Sequence, residues 1–144
     1  MDTTVYEQDF YLWTVQTAKQ LEEGKWDEID LPHLIEEIRD MGSNDKHALL
    51  SNLRVVLLHL LKYKYQPVYR GNSWLSSIVE HRQRIEELLE KSPSLKSSLT
   101  EFLSKAYSRA MKGAAKETGL SISTFPEECP FTLEETLDID FLPD

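Results

Sequence analysis

The four histidines are the side chains best suited to metal or acid–base chemistry in this chain: His33, His47, His59 and His81. His59 and His81 fall on neighbouring predicted helices, and Glu37 lies on the helix before them. Two imidazoles and one carboxylate on facing helices form a ligand set that iron, zinc or manganese accepts. This pattern is compatible with a divalent-metal site, or a metal-dependent hydrolase, that uses Glu37, His59 and His81.

The spacing of these residues favours a structural role for the histidines instead. Neither Glu-x-x-His nor His-Glu-x-x-His occurs in the sequence, and the adjacent Glu36 and Glu37 project about 100° apart on a helix. His81 falls between Ile78 and Ile85, on the apolar side of its helix, where a buried imidazole needs a hydrogen-bond partner. We therefore predict histidines that hydrogen-bond within the core, and we expect no cofactor.

The single cysteine is a poor candidate nucleophile. Cys129 stands in Glu127-Glu128-Cys129-Pro130, and acidic neighbours raise the pKa of a thiol. The sequence contains neither a Gly-x-Ser-x-Gly elbow nor a glycine-rich phosphate loop. These features favour a protein that is not an enzyme, and one unpaired cysteine agrees with a reducing cytoplasm.

A basic-aromatic segment, HLLKYKYQPVYRGNSW, runs from His59 to Trp74. Within residues 62–74, aromatic rings and basic side chains could bind bases and phosphates of single-stranded nucleic acid. The same mixture suits the centre of a protein interface, or the rim of a helical bundle. Because Tyr63 and Tyr65 are two residues apart, they do not share one helix face. We rank the structural role first, protein interaction second and nucleic-acid binding third.

We predict a polar cluster where this segment meets the neighbouring helices, and we take it as the candidate binding site. Its bases are expected to pair with Glu36, Glu37 or Asp40, and an indole is expected to line it. The six members are Glu37, His59, Lys62, Trp74, His81 and Arg82.

The formal net charge of −9 is divided unevenly along the 144 residues. Residues 1–40 hold 11 acids and 3 bases (−8), residues 41–118 hold 7 acids and 13 bases (+6), and residues 119–144 hold 7 acids and no base (−7). A dedicated nucleic-acid binder is usually basic overall, so we expect the acidic ends to neutralise the middle. No apolar run approaches the ~20 residues of a membrane span, and we expect a cytoplasmic protein without a membrane partner.

Helical periodicity predicts three helices in the first 65 residues. A capping box from Thr4 to Glu7 begins the first, and Gly24 ends it. The second starts after Asp30 and is ended or kinked by Gly42. The third extends to about Tyr65 and is apolar nearly all round, which is typical of a central helix. The inward-facing stripe predicted for the second helix is Leu31, Leu34, Ile35, Ile38 and Met41.

The remaining sequence predicts two more long helices and a tail. One helix covers residues 73–90, and another opens at Ser92-Pro93 and ends near Gly119. In the proline-containing tail, Thr132 and Glu135 have the spacing to cap one short helix. We predict an all-α fold, a helical bundle of about five helices with a C-terminal wrapping tail, in a single domain spanning residues 1–144.

Several segments, in order along the chain, resemble the signatures of a bacterial family known as domain of unknown function 29. These segments are HLLKYKYQP, SWLSSIVEHRQRI, SPSL, ETGL, FPEECPFTLEETL and FLPD. The resemblance extends from about Tyr6 to Pro143, with Tyr63 where the family often has tryptophan. It implies a compact helical protein with no established activity. We expect a protein that acts through non-covalent contacts, with another protein or with a second copy of itself.

Overall fold

The computed structural model describes residues 4–144, and these residues form helices joined by short connections. Four short 3₁₀ segments join the α-helices, at Trp26–Glu28, Pro67–Tyr69, Pro93–Ser98 and Ile122–Thr124. No strand occurs in the described part of the chain, which confirms the all-α prediction. The α-helices are α1 (Val5–Gln8), α2 (Phe10–Glu22), α3 (Leu31–Tyr65), α4 (Asn72–Lys91), α5 (Leu99–Thr118) and α6 (Leu133–Leu137).

The chain divides into two compact units, Met1–Ser43 and Asn44–Asp144. Helix α3 contributes its first turns to the first unit and the rest of its length to the second. The expectation of a single domain stays a prediction. Among the described residues, no helix combines the length and the apolar character needed to cross a membrane.

In the first unit, two consecutive helices, each with its own N-terminal cap, replace the single helix that we predicted. The Thr4 hydroxyl accepts a hydrogen bond from the backbone N–H of Glu7, and the Asp9 carboxylate accepts one from Leu12. Each cap gives a hydrogen-bond partner to a backbone N–H group in the first turn of its helix. Asp9 is both the last cap of α1 and the first cap of α2, so the two helices meet at this residue. Gly24 has a φ of 70°, the left-handed conformation expected after a helix end.

Helix α3 differs from the prediction in its continuity. It runs unbroken through Gly42 and Ser43, where we expected the second helix to end or kink before a third one. Glycine is costly in a helix but does not forbid it, and the strongly apolar turns that follow are held by tertiary packing. The predicted inward stripe was also wrong in part, because Leu31, Ile35, Ile38 and Met41 are exposed.

The second unit is built around the C-terminal two thirds of α3. Five leucines and one valine of this part are completely buried, and each such side chain contributes about 1.5–3 kcal/mol relative to full exposure. The prediction of a central helix is confirmed. Ile78 and Ile85 of α4 belong to the same core, together with Phe125 and Phe131 of the tail. The fully buried members from α3 are Leu49, Leu53, Val56, Leu57, Leu60 and Leu61.

Helix α5 packs closely on α3 through small side chains. Ala106, Ala110 and Ala114 are fully buried, and a Cβ at Gly113 would lie 2.8 Å from Cδ1 of Leu58. A glycine therefore allows this approach of the two helices. The fifth predicted helix begins later than expected, because residues 93–98 form a 3₁₀ segment and the side chain of Ser92 makes no cap hydrogen bond. Gly119 ends α5 with a φ of 75°.

The tail is ordered by hydrogen bonds to the long helices. Thr132 and Glu135 form the predicted capping box of α6. The Tyr107 hydroxyl donates to the carbonyl of Pro126 at 2.5 Å. Burial raises the pKa of Tyr107 to about 12, so this phenol remains a donor at any physiological pH.

Candidate functional site

The six residues of the predicted polar cluster do not all belong to one unit. Five of them lie in the second unit, on α3 and α4, whereas Glu37 lies in the first. Glu37 accepts a hydrogen bond from the Tyr6 hydroxyl at 2.5 Å. Its carboxylate is therefore engaged within its own unit.

Lys62, Trp74 and Glu117 form the cation-centred part of the cluster. The Lys62 ammonium lies 4.7 Å from the centroid of the Trp74 ring and 4.0 Å from a carboxylate oxygen of Glu117. A cation over an indole face is held by the ring quadrupole, at about 0.5–2 kcal/mol depending on exposure. The acidic partner is on α5, and not Glu36, Glu37 or Asp40 as we predicted. Nothing in the local sequence around Glu117 distinguishes it from other exposed helix carboxylates.

The two central histidines hydrogen-bond to their own helices, as the structural interpretation predicted. Nδ1 of His59 lies 2.9 Å from the carbonyl of Val55, and Nδ1 of His81 lies 2.7 Å from that of Ser77. A carbonyl only accepts, so Nδ1 carries the proton in both rings. Burial lowers the pKa of His59, and the positive charge of Lys62 lowers it further. A neutral His59 therefore occupies this site at neutral pH.

Arg82 has a different role from the one predicted. Arg82 as a whole residue is only 3% exposed, and its guanidinium donates three hydrogen bonds to backbone carbonyls of the tail: Nε to Thr136 at 2.9 Å, Nη1 to Phe141 at 2.9 Å and Nη2 to Glu135 at 3.0 Å. The predicted carboxylate partners Glu36, Glu37 and Asp40 take no part. Two of the carbonyls belong to the end of α6, where the helix dipole is negative. Arg82 thus anchors the tail to α4.

The described residues contain no group of three or more His, Cys, Asp or Glu side chains placed to hold a metal ion. The alternative metal set of Glu37, His59 and His81 stays a prediction: Glu37 lies in the first unit, where it bonds to Tyr6, and the two histidines lie in the second. Cys129 is half-buried and donates its Sγ–H to the carbonyl of Phe131 at 3.3 Å. Burial raises the pKa of this thiol, which disfavours the nucleophilic thiolate.

Most aromatic rings of the basic-aromatic segment contact other side chains of the chain. The Arg70 guanidinium covers the Tyr63 ring at 4.1 Å, and its Nε donates to the Tyr63 carbonyl at 2.6 Å. Tyr65 packs edge-on against Phe125, with 5.3 Å between centroids. Tyr69 is the exposed exception. Tyr63 and Tyr65 therefore already have partners within the chain, and nucleic-acid binding stays a prediction.

Sequence reasoning missed a cluster around Tyr6 that holds the first unit together. The Tyr6 ring stacks on the His33 imidazole at 3.9 Å with an angle of 12° between planes, and it meets Trp13 edge-on at 5.0 Å. The hydrogen bond to Glu37 raises the pKa of Tyr6 to about 12. A hydrogen bond to Asp30 raises the pKa of His33, and the same bond lowers the pKa of Asp30. A capping motif followed 30 residues later by a charged helix was too weak a signal to predict these contacts.

The first unit also carries an exposed apolar surface on α3. We call it the α3 apolar face and define it as Leu31, Ile35, Ile38 and Met41. These side chains are 40–66% exposed. At 100° per residue they fall within an arc of about 120° on one side of the helix. Of the 17 large hydrophobic side chains exposed in residues 4–144, 11 lie in this unit, although it is much the smaller of the two.

Comparison with known proteins supports the resemblance found in the sequence. Residues 5–142 match the family described as Domain of unknown function DUF29. Searches of curated proteins and of solved structures found no match. The match covers nearly the whole chain, from α1 to the last residues of the tail. The chain therefore belongs to the DUF29 family, whose function is unknown.

Proposed function

We propose that this protein is a protein-interaction module whose contact surface is the α3 apolar face. A single observation carries the proposal: four large apolar side chains follow helical spacing on one continuous helix, and all four are exposed to solvent. A surface helix of a globular protein normally turns such a stripe toward a core. An apolar stripe left open on an ordered helix is typical of a surface that binds another protein.

The contacts around Tyr6 support this proposal because they give the face a rigid base. The stacking on His33 and the hydrogen bond to Glu37 tie α1 to the first two turns of α3. A preorganised surface loses less conformational entropy when a partner binds. The cytoplasm is the compartment that fits this proposal, supported by the one unpaired cysteine of the chain.

Site-specific photo-crosslinking in the cells that produce the protein tests this function. A photo-crosslinking amino acid at position 38 is expected to give covalent adducts with a protein partner. The matched control is the same amino acid at position 68, because Val68 is 89% exposed but lies in the second unit. Adducts that form equally from both positions, or from neither, would contradict the proposal.

A further inference from the structure

We propose that a cavity in the second unit binds a small apolar carboxylic acid whose acid group is held by Arg82. The cavity lies between the C-terminal half of α4, the 3₁₀ segment Pro93–Ser98 and the end of α6, and its volume is about 280 Å³. Its apolar lining consists of Ile85, Leu89 and Leu137. The α3 apolar face belongs to the first unit, so this site does not depend on the proposed function.

The volume of the cavity sets the size of the ligand. Water occupies about 30 Å³ per molecule in the liquid, so the cavity has room for about nine water molecules, or for a compound of about ten non-hydrogen atoms. Small-molecule sites usually measure about 300–1,000 Å³ and combine apolar lining with a few polar groups. This cavity lies at the small end of that range, which suits a short apolar acid better than a nucleotide or a peptide.

Arg82 is the lining residue that selects an acid. It is only 3% exposed, and no carboxylate lies within 4 Å of its guanidinium in residues 4–144. Three of its five N–H groups donate to carbonyls of the tail, and within the described residues the other two have no hydrogen-bond partner. A buried charge is normally paired, because burial without a counter-ion is costly. A carboxylate bound in the cavity supplies the negative charge that the protein does not.

The other charges near the cavity do not reverse this preference. Glu86, Glu90 and Lys96 also line it, but all three are exposed, and water and salt screen their net charge of −1. Burial lowers the pKa of Arg82, and Asp138, more than 4 Å away, offsets this only in part. The guanidinium stays protonated at neutral pH. In its low-dielectric surroundings it attracts an anion more strongly than exposed carboxylates repel one.

The test titrates the full-length chain with three eight-carbon ligands that differ only in the head group: octanoate, octan-1-ol and octylamine. Isothermal titration calorimetry at pH 7 and low salt is expected to show saturable binding of octanoate at one site. The alcohol and the amine should bind at least about tenfold more weakly, because neither offers Arg82 a charged acceptor. Equal or tighter binding of either one would overturn the proposal, as would a lack of octanoate binding at millimolar concentration.

Two tryptophan substitutions on α4 test whether octanoate occupies the cavity. Leu89→Trp places a larger side chain in the cavity and is expected to weaken octanoate binding at least about tenfold. The matched control is Val79→Trp, because Val79 is 46% exposed and does not line the cavity. This control should bind octanoate as the wild type does. Equal octanoate binding by the two variants would overturn the proposed site.

A nuclear magnetic resonance measurement on the wild-type protein tests the site even where Leu89→Trp fails to fold. The Nε–H signal of Arg82, identified by its absence from Arg82→Lys, should shift as octanoate is added and saturate with the dissociation constant found by calorimetry. Lys96→Met should change that constant less than about threefold, because Lys96 is exposed. An unchanged Nε–H signal, or a Lys96→Met protein that no longer binds octanoate, would show that Arg82 does not hold the acid group and would overturn the proposal.

Discussion

Replacing Arg82 with methionine tests the strongest polar anchor in the second unit. Methionine keeps an unbranched apolar stem of similar length but removes all three hydrogen bonds to the tail. Because the stem packing is retained, the measured change reports mainly on those hydrogen bonds. We expect Arg82→Met to fold and to be markedly less stable.

The expected loss follows from the burial of each carbonyl. Thr136 is fully buried, so its carbonyl loses a charged donor and receives no water in return, which costs about 1–3 kcal/mol. Glu135 and Phe141 are partly exposed, so water can replace the lost donor at their carbonyls. The loss of each of these two hydrogen bonds therefore costs about 1 kcal/mol. We therefore expect the free energy of unfolding to fall by about 3–5 kcal/mol, a large part of the 5–15 kcal/mol typical of a domain.

The assay is equilibrium unfolding in urea at pH 7, followed by far-ultraviolet circular dichroism, with hydrogen exchange of residues 131–142 as the local readout. Arg82→Lys keeps the charge but not the planar fork, so it should fall between wild type and Arg82→Met. The control is Arg84→Met on the same helix, where an exposed ion pair with Glu80 is lost and a change within about 0.5 kcal/mol is expected. An Arg82→Met protein as stable as Arg84→Met, with an unchanged rate of tail exchange, would refute the reasoning.

Three further predictions concern single positions. Gly42→Ala should raise the stability of α3 by about 0.5–1 kcal/mol in thermal unfolding, because the glycine is helical and a Cβ there would meet nothing within 4 Å. Cys129 should react with iodoacetamide at pH 8 about tenfold more slowly in the folded protein than in urea, because burial raises its pKa and limits access. For His59 the protonated form is disfavoured in the folded state, so stability is complete above the unfolded pKa of 6.5 and falls as the pH drops below that value through the folded pKa. Urea midpoints at pH 7 and 5 should therefore differ more for wild type than for His59→Gln.

Each of these has a contrary result. A less stable Gly42→Ala protein would mean that α3 is strained at this residue. Equal alkylation rates in buffer and in urea would show that Cys129 is open to solvent. A nuclear magnetic resonance titration that places the midpoint of His59 at or above 6.5 would remove the basis of the pH prediction.

The helical segments and the cap of α6 could be predicted because their causes are local. The Thr132 and Glu135 pair satisfies backbone groups within four residues, and its spacing is visible in the sequence. Apolar residues on all sides of residues 49–61 required burial whatever the surroundings. The candidate site could be predicted only in part. Lys62 and Trp74 could be grouped from adjacent helices, but the choice of Glu117 over Glu36 or Glu37 depends on which carboxylate folding brings near.

By itself, the sequence determined that this chain is all-α, which stretches of it are helical, and that the middle of the chain is basic between acidic ends. Only the tertiary structure decided what each helix face meets. The stripe from Leu31 to Met41 has the same periodicity whether it is covered or open. In the same way, the sequence does not show whether the guanidinium of Arg82 donates to a carboxylate or to a carbonyl. Periodicity records the direction of a side chain from its helix axis, whereas burial and pairing depend on residues distant in the chain.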